Sequence, residues 1–148
     1  MSRSQASTEW GEPTNGWRLS LSLDRATYAP DEPVVATIRF QNVSDHAQQL
    51  GGNGRDFDHD FSCTGVDGAP TPLTAYGKLM VENRGLGKAT GGTLPPMGEI
   101  SVQVPVSRHL DLSMPGRYRL EARRQVFANE DPAAPHVVSN TVEFTRSQ

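Results

Sequence analysis

The sequence is poor in cysteine, in long apolar runs and in excess positive charge, and each shortage excludes a class of protein. Cys63 is the only cysteine, so the chain can form no internal disulfide. No apolar run approaches the roughly 18 residues that a membrane-spanning helix needs. The formal net charge of −3 argues against a general affinity for nucleic acid or for an anionic membrane. We therefore expect no nucleic-acid partner and no membrane insertion.

The sequence also lacks the spacings that carry catalytic or cofactor chemistry. A phosphate-loop interpretation of Gly87-Lys88 fails, because Glu82 stands where the motif needs its first glycine and Ala89 where it needs Ser or Thr. There is no GxSxG nucleophile motif, and Cys63 is expected to be a small buried thiol. The histidines are too scattered for a metal-ligand motif: His46, His59, His109 and His136. We predict no catalytic residue, no cofactor and no metal, and hence a protein that is not an enzyme.

Two charged segments leave alternatives open. Asp56, Asp58 and Asp60 have the oxygen spacing of a calcium loop, but Phe61 occupies the position where that loop needs glycine, so cation binding stays undecided. The same three carboxylates are expected to face the arginines of a neighbouring strand and neutralise them. A strip that binds a partner is the alternative. The arginines are Arg117, Arg119 and Arg123.

A turn that runs into a strand organises the chain, and it lies at 111–122. Asp111 can hydrogen-bond the backbone ahead of it, Pro115 fixes φ, and Gly116 permits a left-handed conformation. Apolar and charged residues then alternate with period two. A tyrosine at such a position, here Tyr118, ties down a corner of immunoglobulin-type sandwiches through its hydroxyl.

Other segments alternate in the same way, and 14 glycines and 11 prolines provide turns between them. The second predicted strand has its apolar residues on one face: Val34, Ala36, Ile38 and Phe40. Predicted strands cover 17–23, 34–43, 56–64, 99–106, 117–123 and 137–145, with one or two short strands over 73–81. We predict an all-β fold, an immunoglobulin- or fibronectin-III-like antiparallel sandwich of about seven to eight strands. Residues 17–146 form the single domain, and residues 1–16 form a flexible arm.

Four segments together resemble a recurrent bacterial sandwich module. They are LSLSLDRATYAPDEPVVATIRFQNVSD, FDHDFSCTGVDGAPTPLTAYG, LPPMGEISVQVPVSRHLDLSMPGRYRLEARR and VVSNTVEFT. The chain is similar over 17–146 to the intracellular proteinase inhibitor domain and to the N-terminal β-domain of deuterolysin-like metalloendopeptidases. The resemblance implies the sandwich fold and an accessory role. The zinc motif HExxH of those peptidases is absent, and no residue for inhibition can be carried over.

The function that these observations favour is a non-catalytic immunoglobulin-like module that binds or positions another protein. One alternative is a proteinase inhibitor acting through the loop 83–96, and another is a structural subunit of an extracellular or surface assembly that uses its arm. Candidate interface residues are Arg84, Leu86, Lys88 and Trp10. Open sheet edges would also permit a homo-oligomer.

The compartment stays open at this point. The resemblance favours a location outside the cytoplasm, yet the N-terminus has no apolar core of the kind found in a signal peptide. The triplet Asn42-Val43-Ser44 is a glycosylation sequon, which would matter only in a eukaryotic secretory pathway.

Overall fold

The computed structural model describes residues 9–52, 59–65, 67–82, 90–125 and 136–148, and its fold is predominantly β. No helix in these ranges is long and apolar enough to cross a membrane. In chain order the elements are β1 (Trp17–Leu23), β2 (Thr27–Tyr28), β3 (Val35–Asn42), β4 (Gln48–Gly52), β5 (His59–Thr64), α1 (Ala75–Glu82), β6 (Thr90–Leu94), β7 (Glu99–Pro105), α2 (Val106–His109), β8 (Gly116–Gln125), β9 (His136–Val138) and β10 (Val142–Arg146).

The strands form two main sheets and a separate ribbon. The first sheet has the order β1-β3-β7, and the second has the order β2-β10-β8-β5 with β9 beside β8. Neighbours are antiparallel except for β2, which runs parallel to β10. The ribbon consists of β4 and β6. The acidic segment was expected to neighbour the strand of the arginines, and this is confirmed: β5 and β8 pair antiparallel, with Cys63 opposite Leu120.

Side chains from both main sheets fill one core between them, where β1 contacts β8, β9 and β10. Trp17 stacks on Phe40 with ring centroids 4.4 Å apart, and Tyr118 stacks on Phe144 at 5.2 Å. Burial confirms the predicted apolar face of the second strand: Val34, Ala36, Ile38 and Phe40 are all buried. The period-two pattern therefore identified the side of this strand that faces the core.

The strands predicted over 73–81 are wrong, since this segment forms the helix α1. Thr74 starts the helix: its Oγ1 accepts a hydrogen bond of 3.0 Å from the Gly77 amide, which satisfies an N–H that has no partner within the helix. Gly77 is buried against α2, and a Cβ at this position would lie 2.1 Å from the His109 carbonyl oxygen. The cap at Thr74 and the close contact at Gly77 thus stabilise a helix where extended chain was predicted.

The strand predicted over 137–145 is interrupted, and the interruption ties the two sheets together. Ser139 Oγ accepts a hydrogen bond of 2.8 Å from the Ala122 amide in β8. Asn140 bonds the backbone of Leu21 in β1 twice: its Oδ1 accepts from the amide at 2.8 Å, and its Nδ2 donates to the carbonyl at 3.0 Å. Two adjacent polar residues therefore bind opposite sheets.

Part of the segment predicted to be a flexible arm follows a defined path along β1. Asn15 and Gly16 have φ of 51° and 82°, and backbone bonds of 2.8 and 2.9 Å join Thr14 and Trp17 in both directions. Positive φ at both central residues is typical of a type I′ hairpin turn, for which Asn-Gly is a preferred pair. Before this turn, the Gly11 amide donates to the Leu19 carbonyl at 3.0 Å.

Asn42 lies at the end of β3 and is completely buried. Its Nδ2 donates to the carbonyls of His46 and Leu94, each at 2.9 Å. Its Oδ1 accepts from the Ser44 amide, the Ser44 hydroxyl and Gln48 Nε2. This one amide group therefore fixes the connection from β3 to β4 and joins it to β6.

Candidate functional site

The turn before β8 is held by side-chain hydrogen bonds to its own backbone. Asp111 Oδ1 accepts from the Ser113 hydroxyl at 2.6 Å and from the Ser113 amide at 3.2 Å, and these bonds hold the pKa of Asp111 below its ordinary value. The Tyr118 hydroxyl donates to the Met114 carbonyl at 2.6 Å, and burial raises the pKa of this phenol. Gly116 has φ of 136°, which favours glycine. These groups serve the architecture of the turn.

His59 and Arg124 form a polar pair inside the core. Both residues are buried, and Arg124 Nη1 lies 3.3 Å from His59 Nε2. The guanidinium also lies over the Phe40 ring, 4.5 Å from its centroid. His59 Nδ1 has no hydrogen-bond partner among the described residues. Burial, and to a lesser degree the charge of Arg124, lowers the pKa of His59 to about 3, so the imidazole is neutral at physiological pH.

Buried neutral histidine makes stability depend on pH. The unfolded chain binds a proton on this residue near pH 6.5, whereas the folded chain does so only near pH 3, so unfolding takes up a proton between these values. We expect the free energy of unfolding to be retained above pH 6.5 and to fall by about 1–2 kcal/mol between pH 6.5 and 5. Urea denaturation across this range measures the loss.

The variant His59→Gln should flatten that dependence, because its amide oxygen can still accept from Arg124 but does not titrate. His46→Gln, at an exposed histidine, is the matched control and should keep the wild-type slope. Carboxylates stay largely ionised above pH 5, so they add little to the slope in this range. Parallel curves for the wild type and His59→Gln would contradict the assignment.

Cys63 is not arranged as a nucleophile. The thiol is buried, and burial raises its pKa, which keeps it protonated at neutral pH. Four strand positions separate it from His59, a distance of about 13 Å along β5, so the two residues cannot form a Cys–His pair. Among the described residues, no three His, Cys, Asp or Glu side chains lie close enough to hold a metal ion.

The charged face of β8 is only partly arranged as expected. Asp60 lies opposite Arg123 in the β5–β8 register, in line with the predicted neutralisation. Arg119, however, pairs with Glu143 of β10 at 3.4 Å and lies opposite Thr64 of β5. Its ion-pair partner therefore comes from the strand on the other side of β8.

Arg146 is a second buried arginine, only 4% exposed, at the end of β10. Its Nε donates to the Leu112 carbonyl at 2.8 Å, and its Nη1 donates to the carbonyls of Ala29 and Glu32 at 2.7 and 2.6 Å. The guanidinium thus joins the turn before β8 to the loop after β2.

Neither buried arginine was predicted to be buried, although the sequence carries a signal for both. Arg124 has the same strand parity as the apolar residues Leu120 and Ala122, and Arg146 has the parity of Phe144. Period two therefore already placed both guanidinium groups on the inward faces. Because arginine is charged, it is usually expected at the surface. Here the guanidinium groups are buried because carbonyls or an aromatic ring from other segments contact them.

A cluster of charged side chains surrounds Trp10 at the surface of the first sheet. The guanidinium of Arg18 lies 4.0 Å from the Trp10 ring centroid, and that of Arg39 lies 4.5 Å from it. Arg39 also bonds Glu99 at 2.9 Å and Glu9 at 3.0 Å, and the contact with Arg39 lowers the pKa of Glu99. We call these five residues the Trp10 patch. Of its five residues, only Trp10 was predicted from the sequence as an interface residue.

A groove of about 620 Å³ begins at the Trp10 patch, because Glu9 belongs to both. It runs between β1 and β10, with Asn140 in its wall. Its charged lining consists of Glu9, Asp24, Arg25 and Glu143, so carboxylates outnumber the single guanidinium. These side chains can bind polar or basic groups of a partner.

Several candidate residues lie outside the described ranges. They are Arg84, Leu86 and Lys88 of the proposed inhibitory loop, together with Asp56 and Asp58 of the acidic segment. The interpretations that depend on them stay predictions.

Comparisons with known proteins give only distant likenesses. No family model and no curated protein matches the chain. Among solved structures, a β-glucosidase from Listeria innocua is 13% identical with a TM-score of 0.44, over 89% of this chain and 16% of that one. An alkylpurine DNA glycosylase from Pseudomonas fluorescens is 11% identical with a TM-score of 0.45, over 90% and 31%. A Northeast Structural Genomics Consortium target is 12% identical with a TM-score of 0.48, over 91% and 90%. The chain thus spans about a sixth of the length of the β-glucosidase.

Proposed function

We propose that this protein is a non-catalytic immunoglobulin-like module that binds or positions another protein. The strand order supports the fold type. If β1, β3 and β7 take the positions A, B and E, and β5, β8 and β10 take C, F and G, the neighbours agree with a constant-type domain. No strand takes position D beside β7 among the described residues, and β2 and β9 are additions to the second sheet. Tyr118 then lies near the start of strand F, where such domains carry their corner tyrosine.

A binding role agrees with how the reactive side chains are used. His59 lies against Arg124, Cys63 is buried, and Arg146 donates to three carbonyls, so each of them serves the interior. The metalloendopeptidase and inhibitor resemblances add an accessory role to this proposal.

The observation that carries the proposal is the Trp10 patch. Tryptophan and arginine are the residue types most enriched among the side chains that dominate protein–protein binding energy. Here a partly exposed Trp10 lies within 4.5 Å of two guanidinium groups, those of Arg18 and Arg39, at the surface of a sheet. Such a cluster is suited to stack on an aromatic or planar polar group of a partner protein.

The test compares capture of protein partners by immobilised wild type and by Trp10→Ala and Arg39→Ala. A partner of this patch should be lost from both variants and retained by Met114→Ala, which truncates a 70% exposed side chain elsewhere. Circular dichroism melting must show that all variants keep their fold. Equal capture by the wild type and both patch variants would overturn the proposal, as would substrate turnover abolished by a point substitution.

A further inference from the structure

The outer edge of β7 carries backbone groups that have no partner among the described residues. In an antiparallel pair, alternate residues bond the neighbouring strand while those between them turn their N–H and C=O groups away. Next to β7, the Asn42 amide donates to the Gly98 carbonyl at 2.9 Å, and the Met97 amide donates to the Asn42 carbonyl at 2.7 Å. Every second residue of β7 counted from Gly98 therefore hydrogen-bonds β3 through its backbone. These residues are Ile100, Val102 and Val104.

The residues between them therefore face outward with their backbone groups: Glu99, Ser101 and Gln103. All three are exposed. Pro105 continues the outward set and has no N–H, which fits a strand that ends a sheet. As far as the described residues go, this edge is open and offers three consecutive donor–acceptor pairs to an added strand.

The two edges of this sheet differ in whether other segments hydrogen-bond their outward backbone groups. Gly11 and the Asn140 side chain bond the outward groups of β1 at Leu19 and Leu21, which closes that edge. Natural proteins protect open edges with proline, with lysine and other charges, with bulges, or with a covering helix or loop. In β7 the only charge is Glu99, and its carboxylate is engaged with Arg39 in the same sheet. Pro105 protects only the end of this strand, so the segment from Glu99 to Val104 carries no proline and no unengaged charge.

We propose that the open edge binds a second copy of this chain, β7 against β7, antiparallel about a two-fold axis at Ser101. Such pairing is isologous, as expected for a symmetric dimer. Ser101 then pairs with Ser101 of the second copy, and Glu99 pairs with Gln103. This inference goes beyond the proposed function and does not depend on the Trp10 patch.

Charge and hydrogen bonding select this register. With the axis at Ser101, all three outward residues of each strand pair and no carboxylate meets another. An axis at Glu99 would place two carboxylates opposite each other, which is destabilising. An axis at Gln103 would place Pro105, which lacks an N–H, opposite Ser101. Of these three registers, only the chosen one uses the donors and acceptors of Glu99, Ser101 and Gln103 on both strands.

The inward side chains fit the same arrangement. Ile100 and Val102 pack against the core but remain only half-buried. In the proposed register, Ile100 lies opposite Val102 of the second copy, so apolar surface that is now partly exposed would be covered on both subunits. Aliphatic β-branched pairs across strands are favourable.

Sedimentation velocity on the full chain over a range of concentrations tests the dimer. The wild type should approach twice its 16.1 kDa mass as concentration rises. Ser101→Glu places two carboxylates at the axis and should raise the dissociation constant at least tenfold. Ser22→Glu is the matched control, since Ser22 is an exposed serine of the same sheet on the closed edge strand β1, and it should dimerise like the wild type.

The register has its own test. Under mild oxidation Ser101→Cys should form a covalent dimer, because paired residues of adjacent strands bring Cα atoms to about 5.5 Å, within disulfide reach. Ser22→Cys should remain monomeric, and the native Cys63 is buried. A monomeric wild type at every concentration would overturn the inference, and so would dimers that Ser101→Glu leaves intact or that Ser101→Cys does not trap.

Discussion

Replacing Arg146 with methionine is expected to lower the free energy of unfolding by about 3–5 kcal/mol, because it removes the shared donor of three buried or partly buried carbonyls. Methionine fills a similar volume but donates no hydrogen bond. The carbonyls of Ala29, Glu32 and Leu112 would then be left without this partner. Urea or guanidinium denaturation of the purified variant measures the loss.

Arg117→Met is the matched control for this substitution. Arg117 lies on the exposed face of β8, so its removal should change stability by less than about 0.5 kcal/mol. Arg146→Lys should fall between the two, because a single ammonium group cannot match the fork of donors that a guanidinium presents. If Arg146→Met were as stable as Arg117→Met, the guanidinium would not hold the two loops together.

The second large effect is expected at Gly77, where alanine should destabilise a helix that alanine normally favours. At an uncrowded helical position, Gly→Ala raises the free energy of unfolding by about 0.4–1 kcal/mol. At Gly77 the added methyl group would lie 2.1 Å from the His109 carbonyl oxygen, which is backbone and cannot turn aside. The helix would have to move away from α2, so we expect a net loss of about 1–3 kcal/mol.

Gly92→Ala provides the comparison for Gly77→Ala. A Cβ at Gly92 meets no atom within 4 Å and its φ is not positive, so this change should be neutral or stabilising by up to about 1 kcal/mol. Thermal denaturation of both variants beside the wild type distinguishes the contributions of crowding and of backbone entropy. A Gly77→Ala protein that melts above the wild type would show that α1 does not need its close approach to α2.

Local patterns predicted the strand faces well, because the period-two signal depends on neighbours in the sequence. The buried set from Val34 to Phe40 follows from it. The pairing of β5 with β8 does not, because it was expected only from the strand order of an immunoglobulin-like sandwich. The helix α1 was not predictable from period, since it is only eight residues long and depends on Thr74 at its start and on the distant His109. Short apolar segments remain ambiguous until their packing partners are known.

The candidate surface was harder to predict than the fold. Trp10 could be named from the sequence, but its neighbours Arg18 and Arg39 are brought to it only because the chain reverses at Asn15-Gly16. That dipeptide is a strong hairpin signal and could have been recognised. The two hydrogen bonds between the Asn140 side chain and β1 have no such signal, because they join residues 119 positions apart.

The buried position of Asn42 decides what a eukaryotic expression host would do with this chain. The oligosaccharyltransferase needs a free side-chain amide, yet in the native fold that nitrogen donates to two carbonyls and has no solvent access. A glycan could be attached only before folding, and the loop between β3 and β4 could then not close around it. Correctly folded material from such a host should therefore carry an unmodified Asn42.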